Sequence, residues 1–252
     1  MKKIGTNLLI LTLIVVNILI SAQTILAGPG GKIVEVVFRT FWGRLILAAI
    51  LIIFGVILVP LAVFFWIREY RAVKQTTNDL KILALENPAF DWMSLKEQIA
   101  NTFHRVHSAW RREDMQEAEN FMTAWYWQNQ QMAFLDQWER DGLINHCRVK
   151  KIKSIKPLFV CRKGNDSSIE NSRLVVLISA DMEDYLADRT TGKIVEGKEG
   201  YNEVDTVWTF LYERGNWVVS NIEERDTWYS YAQMSNEIKA IPGSKVGVFE
   251  PN

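Results

Sequence analysis

The apolar run from Leu45 to Ile67 constrains the chain more than any other feature of the sequence. It contains no charged residue, and Arg44 and Arg68 border it on its two sides. A helix of this length, at about 1.5 Å per residue, can cross a hydrocarbon core about 30 Å thick. A buried helix of a soluble protein is normally shorter and carries a polar stripe. The run therefore predicts a transmembrane helix at 45–67.

The first 27 residues have the layout of a signal sequence. Lys2 and Lys3 form a basic start, an apolar stretch covers residues 8–20, and smaller, more polar residues lead to Ala27. Two outcomes fit this segment, cleavage after Ala27 and retention as a signal anchor, because Ile25 is larger than the residue usual at that position of a cleavage site. Residues 28–44 then form a short linker to the apolar run.

The basic residues around the apolar run predict its orientation. The lysines at the start hold the chain end in the cytoplasm, so the second crossing returns the chain to the cytoplasmic side. Four basic residues that follow the run agree with this direction: Arg68, Arg71, Lys74 and Lys81. Three that precede it count against it: Lys32, Arg39 and Arg44. We expect a cell inner-membrane protein with a cytoplasmic C-terminal domain. Arg68, Arg71 and Lys74 are candidate contacts to anionic headgroups.

The charge balance and the cysteine content exclude several classes of protein. Lysine plus arginine and aspartate plus glutamate both total 29, which argues against a nucleic-acid binder. The cysteines, Cys147 and Cys161, have no CxxC spacing. His104 and His107 lie three residues apart, but nothing completes a metal-binding set, so His107 is expected at the edge of the core and His104 in solvent. No cofactor or metal is expected.

Two amphipathic helices are predicted after a charged connector at 68–89. Ser94 and Glu97 have the spacing of a capping box, and apolar residues at helical spacing then predict a helix over 94–111. A second helix begins near Asp114 and ends at a glycine, with Trp125 on its core face. Two neighbours point away from that face and are candidate contacts: Tyr126 and Trp127.

Beyond Gly142 the spacing of apolar residues changes from helical to a period of two. Strands are predicted at 147–162, 172–186, 203–213 and 217–223. Helices followed by an antiparallel sheet indicate an α+β domain with helices on one sheet face. This soluble domain is expected at 90–225, with a C-terminal tail at 226–252. Within it, Asp188 is predicted to accept backbone hydrogen bonds in a hairpin turn that contains Gly192.

Four sequence segments occur in an order that is similar to a known family. They are AWRREDM at 109–115, DGLIN at 141–145, DYLADRTTGKIVEG at 184–197 and EVDTVWTF at 203–210. Together they resemble the Tim44-like domain family over about residues 90–225. The resemblance implies a nuclear-transport-factor-two-like fold, in which helices pack into a strongly curved antiparallel sheet to form a cone with an apolar cavity. It also implies a non-enzymatic domain that docks partners at a membrane.

These features together predict a membrane-anchored interaction module. It docks a protein partner, in protein transport or membrane-complex assembly, or it holds an apolar ligand or lipid in the cone. The candidate contacts for a partner or ligand are Tyr126, Trp127, Tyr185, Asp188, Gly192 and Trp208. The alternative is an enzyme that uses acidic residues in the cone as an acid or base, with three candidates: Asp181, Glu183 and Asp184.

Overall fold

The computed structural model describes residues 45, 52, 55, 58–163 and 168–238. The chain divides into two compact units, residues 1–65 and 66–252. The predicted signal sequence at 1–27 and linker at 28–44 lie outside the described residues, as does most of the predicted transmembrane run before Val59. Within the described residues, no helix combines the length and the apolar character needed to cross a membrane.

The described part of the chain places its helices mainly before its strands. The helices are α1 (Val59–Glu86), α2 (Trp92–Arg111), α3 (Ala124–Gln130), α4 (Asp136–Arg140) and α5 (Trp228–Gln233). The strands are β1 (Leu143–Cys161), β2 (Arg173–Asp188), β3 (Ile194–Glu213) and β4 (Asn216–Glu224). A π-helical turn, Gln131–Leu135, joins α3 to α4. The α+β class and the four predicted strands are confirmed.

Helix α1 occupies the segment predicted as a charged connector. One face of α1 is buried: Ala72, Thr76, Leu80 and Leu83. The Thr76 hydroxyl donates a hydrogen bond to the Leu158 carbonyl on β1 at 3.0 Å. Further along, Glu86 pairs with Arg162 just beyond the end of β1 at 3.4 Å. Since successive points on the helix meet successive points on the strand, this part of α1 lies along β1.

The N-cap residue of helix α2 is Asp91, three residues before Ser94, the N-cap predicted from the sequence. The Asp91 backbone is extended, and its carboxylate accepts a hydrogen bond from the Ser94 backbone N–H at 2.9 Å. This is the usual geometry of an N-cap aspartate, whose side chain reaches the third helical residue. The predicted apolar face of α2 is confirmed, because Ile99, Phe103 and Val106 are buried.

The second predicted helix is divided into several pieces, and the facing of α3 is the reverse of the prediction. Residues Met115–Phe121 form a 3-10 helix, after which the Thr123 N–H donates a hydrogen bond to the Val219 carbonyl of β4 at 2.9 Å. Helix α3 starts directly after this anchor, so the anchor sets which side faces inward. As a result Trp125 is 70% exposed and Tyr126 only 4% exposed, the opposite of the prediction from apolar spacing.

The sheet is antiparallel and follows chain order, β1-β2-β3-β4. Register shifts interrupt all three strand pairings, for example between Val149 and Lys151 in β1 and between Met182 and Asp184 in β2. An extra residue on one strand bends that strand and increases its twist, so repeated bulges curl a long sheet. The curved antiparallel sheet that the family resemblance implies is therefore confirmed.

Strand β2 separates two hydrophobic cores. Leu174, Val176 and Ile178 point into the main core beneath α2, whereas Val175 and Leu177 point into a second core on the opposite face. The prediction that β2 is apolar on both faces is thus confirmed. The second core is covered by side chains from α1 and α5: Val73, Trp228 and Tyr231.

Short segments of chain pair with both outer strands of the sheet. On β1, Glu237 accepts a hydrogen bond from the Arg162 N–H at 2.8 Å and donates one to the Val160 carbonyl at 3.0 Å. On β4, Met122 forms an isolated bridge with Val219. Because an unpaired edge strand is a template for aggregation, these segments protect the sheet. The tail predicted at 226–252 thus contributes structure up to residue 238, where the described residues end.

Candidate functional site

A cavity of about 490 Å³ lies between the sheet and the helices α2 to α4. Its apolar lining comprises Val106, Trp110, Phe134, Trp138, Leu186, Trp208 and Ile222. Its more polar lining comprises His107, Tyr126, Gln130, Asn145, Cys147, Asp184, Tyr185, Glu196, Gly197 and Thr206. A cavity of this volume, whose walls combine aromatic and aliphatic side chains with polar groups, has the usual properties of a binding site.

Three aromatic rings, here called the rim triad, stand together at one side of the cavity. The centroid of Trp110 lies 5.9 Å from that of Phe134 and 5.5 Å from that of Trp138, and the last two are 5.8 Å apart. Phe134 and Trp138 are four residues apart on a helical stretch, so they project from the same side of it. Phe134 is 40% exposed, which places the triad at the mouth of the cavity.

A stack of rings forms the inner end of the cavity. Trp208 is fully buried, and its indole N–H donates a hydrogen bond to the Thr206 hydroxyl at 2.8 Å. The His107 ring contacts both Phe103, at 4.1 Å, and Trp208, at 5.7 Å, and the centroids of these two rings are 5.1 Å apart. Its Nδ1–H donates to the Phe103 carbonyl at 2.9 Å. Burial lowers the pKa of His107 to about 4, so this ring is neutral at physiological pH.

The polar wall carries two carboxylates on neighbouring strands. Leu186 of β2 lies opposite Glu196 of β3, and Asp184 precedes Leu186 by two residues. Side chains two apart on a strand share a face, so Asp184 and Glu196 project to the same side of the sheet. Burial, reinforced by the charge of Glu196, raises the pKa of Asp184 above its ordinary value. Opposite Asp184 on β1, burial raises the pKa of Cys147 to about 12, which leaves its thiol protonated and unreactive.

Tyr126 joins the helical layer to the last strand. Its hydroxyl oxygen accepts a hydrogen bond from the Ile222 backbone N–H of β4 at 2.8 Å. Burial raises the pKa of Tyr126 to about 12, so the hydroxyl stays neutral. One side chain thus lines the cavity and satisfies an N–H at the outer edge of the sheet.

The structure brings half of the predicted partner or ligand contacts to this cavity. Tyr126, Tyr185 and Trp208 all contribute to its lining. Trp127 is half-buried against the main core, and Asp188 and Gly192 belong to the β2–β3 hairpin tip outside the lining. The participation of these six residues in binding stays a prediction.

The β2–β3 hairpin tip has the predicted turn geometry. The Asp188 carboxylate accepts hydrogen bonds from the Thr190 and Thr191 N–H groups at 3.0 and 2.6 Å, and Gly192 has a φ of +70°. Arg189 at the tip donates to the Glu113 carboxylate at 2.6 Å. Since Glu113 follows α2, this ion pair holds the hairpin tip against the helical layer.

The three acidic residues considered for catalysis occupy different surroundings. Asp181 pairs with Lys150 at 3.7 Å, and the Glu183 carboxylate accepts a hydrogen bond from the Gly200 N–H at 3.1 Å. Asp184 alone of the three lines the cavity. The alternative of an enzyme is therefore reduced to a single acidic candidate from the original set.

The basic residues and the histidines lie where their sequence context suggests. Arg71 and Lys74 are exposed on α1 and Arg68 is half-buried; their contact with headgroups stays a prediction. His104 is exposed and His107 half-buried, as expected. Among the described residues, no group of three or more histidine, cysteine, aspartate or glutamate side chains is placed to hold a metal ion.

Several arrangements in the site could not be predicted from the sequence. The rim triad joins α2 to the π-helical turn and α4, which no periodicity within a single helix indicates. Glu196 lies in the family-like segment 184–197, but its position beside Asp184 depends on the strand register. Asn145 and Cys147 are two residues apart, as are Asp184 and Leu186, so each pair lies on one face of its strand. This spacing is the sequence signal that predicts a shared wall.

The geometry defines the class of protein: it is an α+β domain whose helices close a curled sheet around a cavity. The model of the Tim44-like domain matches residues 76–224, more than half of the chain, and the chain belongs to this family. The match begins within α1, ahead of the domain start predicted at residue 90.

Comparisons with individual proteins add little to this assignment. Among solved structures, the intermembrane space region of chloroplast protein ARC6 matches with a TM-score of 0.35 and 6% sequence identity, over 51% of this chain and 94% of that chain. A likeness at this level carries no argument about fold or function. No curated protein matches the chain.

Proposed function

We propose that this chain is a membrane-anchored interaction module whose Tim44-like domain docks a protein partner by taking up an apolar group of that partner in its cavity. Membership of the family supports a protein-interaction or transport-associated role. The observation that carries the proposal is the cavity of about 490 Å³ with the rim triad at its mouth. Covering partly exposed aromatic rings around a cavity with a partner's apolar group is energetically favourable, because it removes apolar surface from water.

The anchoring part of the proposal rests on the apolar run at 45–67 and the basic residues after it. The charge-free run is long enough to span a bilayer, and positively charged residues follow it on the side expected to be cytoplasmic. We place the domain on the cytoplasmic side of the inner membrane. Exposed Arg71 and Lys74 then contribute about 1 kcal/mol each toward an anionic membrane surface, where they lie close to it.

The docking proposal is tested by site-specific photo-crosslinking in native membranes. A photoreactive residue replaces Phe134 at the mouth of the cavity, and in a matched control it replaces Leu85, which is 84% exposed on α1 and does not line the cavity. We expect one discrete adduct from position 134 and none of that size from position 85. Equal adducts from both positions, or none from position 134, would contradict docking at the cavity.

An enzyme that uses the cavity is the second candidate, and Asp184 is the observation in its favour. Its carboxyl lines the cavity, and burial raises its pKa, as a general acid or base requires. Among the described residues, however, Asp184 forms no hydrogen bond to a group that could relay a proton, and His107 bonds to a backbone carbonyl. We therefore place the interaction module first.

A further inference from the structure

The charges in the cavity wall distinguish among the groups it could take up. The lining contains two carboxylates, Asp184 and Glu196, and no lysine or arginine. The cavity also contains the neutral ring of His107, which adds no positive charge. Both of these acidic residues are exposed to solvent at the wall. An apolar group with a negative charge would therefore meet like charge there, which costs free energy.

Two cations near these carboxylates lie outside the cavity lining. Lys198 lies opposite Asp184 in the β2–β3 register and projects from the same face of the sheet, but it does not belong to the lining. Arg111, at the end of α2, is also outside the lining, and its charge interacts with the Cys147 thiol. Among the described residues, no ion pair within 4 Å includes either Asp184 or Glu196, and no cation counts among the causes of the raised pKa of Asp184.

The aromatic rings of the same wall favour positive charge. Trp110 and Trp138 stand at the mouth, whereas Trp208 is fully buried and stacks on His107 and Phe210. The face of an indole ring attracts an ammonium or guanidinium group, more strongly when water is excluded. The indole rings of Trp110 and Trp138 and the two carboxylates, which form no ion pair among the described residues, therefore provide a site for a cation on an apolar stem.

We propose that the group taken up by the cavity is a lysine or arginine side chain of the partner, flanked by apolar residues. This rests on the proposed function and names the chemistry that the cavity selects. The methylene stem of such a side chain packs along the rim triad, while its charged end meets Asp184 and Glu196. A cavity of about 490 Å³ suits one long side chain and an apolar neighbour, not a whole helix.

Three matched peptides test the proposal on the full chain in nanodiscs of neutral lipid. The probes are acetyl-Leu-Lys-Leu-amide, its norleucine analogue, which lacks only the ammonium group, and acetyl-Leu-Glu-Leu-amide. Isothermal titration should show about tenfold tighter binding of the lysine peptide than of the norleucine peptide, and the weakest binding for the glutamate peptide. Empty nanodiscs provide the reference for peptide bound to lipid.

Two substitutions assign the preference to the cavity wall. Asp184→Asn should bring the lysine and norleucine affinities to within about twofold of each other while the norleucine affinity stays the same. Glu196→Gln should act in the same direction. It provides an independent test if Asp184→Asn does not fold. In the matched control, Asp181→Asn removes a carboxylate from the same strand that pairs with Lys150 outside the lining, so the preference should remain.

The outcomes separate this proposal from the proposed function. Equal binding of the lysine and norleucine peptides would contradict the preference for a cationic group, but it would still support uptake of an apolar group. Tighter binding of the glutamate peptide, or loss of the preference in Asp181→Asn but not in Asp184→Asn, would also overturn it. Failure of all three peptides to bind would overturn both proposals.

Discussion

At the scale of single residues, Tyr126 shows how one atom can connect layers of the fold. Its hydroxyl satisfies the Ile222 N–H, and its ring is buried against the main core and lines the cavity. A backbone N–H on an outer strand has no partner strand to bond with, so it needs such a side-chain acceptor when buried. The residue thereby ties the position of α3 to that of β4.

We predict that Tyr126→Phe destabilises the domain by about 1–3 kcal/mol, because the ring stays in place while the Ile222 N–H loses its acceptor. The measurement is the free energy of unfolding in urea. Tyr201→Phe is the matched control, since Tyr201 is 42% exposed; it should change stability by less than about 0.5 kcal/mol. A loss in the control as large as in Tyr126→Phe would contradict this role.

At the scale of elements, α1 departs most from its sequence-based description. The mixed charges of residues 68–89 are typical of a linker, yet Leu80 is fully buried in the main core. Because charged residues occupy the other faces of the helix, the narrow apolar face is easily overlooked in the sequence. The start of the family match at residue 76 is consistent with this packing.

We predict that Leu80→Ala costs about 2–5 kcal/mol, as is usual for a large side chain removed from a packed core. Leu85→Ala on the same helix should be nearly neutral, because Leu85 is 84% exposed. Thermal and urea unfolding of both variants provide the measurement. If Leu80→Ala were as mild as Leu85→Ala, α1 would not be an integral part of the domain.

The elements also show where sequence reasoning succeeds. The four strands, the apolar face of α2 and the turn at Asp188 follow from local patterns that the structure retains. The facing of α3 does not, because a hydrogen bond between Thr123 and Val219 sets it across almost a hundred residues. The cavity wall likewise depends on bulges and strand register, so half of the predicted contacts line it and its acidic pair was missed.

At the scale of the whole molecule, orientation across the membrane is the property that decides which partners the domain can meet. The described cysteines, Cys147 and Cys161, are both buried, so native thiols give little background to a thiol reagent. Thr190, at the exposed β2–β3 hairpin tip, uses only its backbone N–H in the turn. A cysteine at that position is therefore a clean reporter of the compartment.

We predict that Thr190→Cys in spheroplasts is not labelled by a membrane-impermeant maleimide until the membrane is permeabilised, because the domain lies on the cytoplasmic side. The unsubstituted chain is the control and should stay unlabelled in both conditions while folded. The readout is a mass shift on a gel. Labelling of intact spheroplasts would reverse the orientation and with it the compartment of the partner.

The covered edges of the sheet restrict how any partner can bind. At the C-terminal end of β1 and in the middle of β4, neighbouring segments already use outer backbone groups. The exposed middle of β1 carries Lys150, Lys151 and Lys153. A partner therefore gains little by adding a strand of its own, which is how many small domains capture extended peptides. Selection among partners then depends on side-chain fit, so substitutions in the partner that preserve its backbone conformation can still abolish recognition.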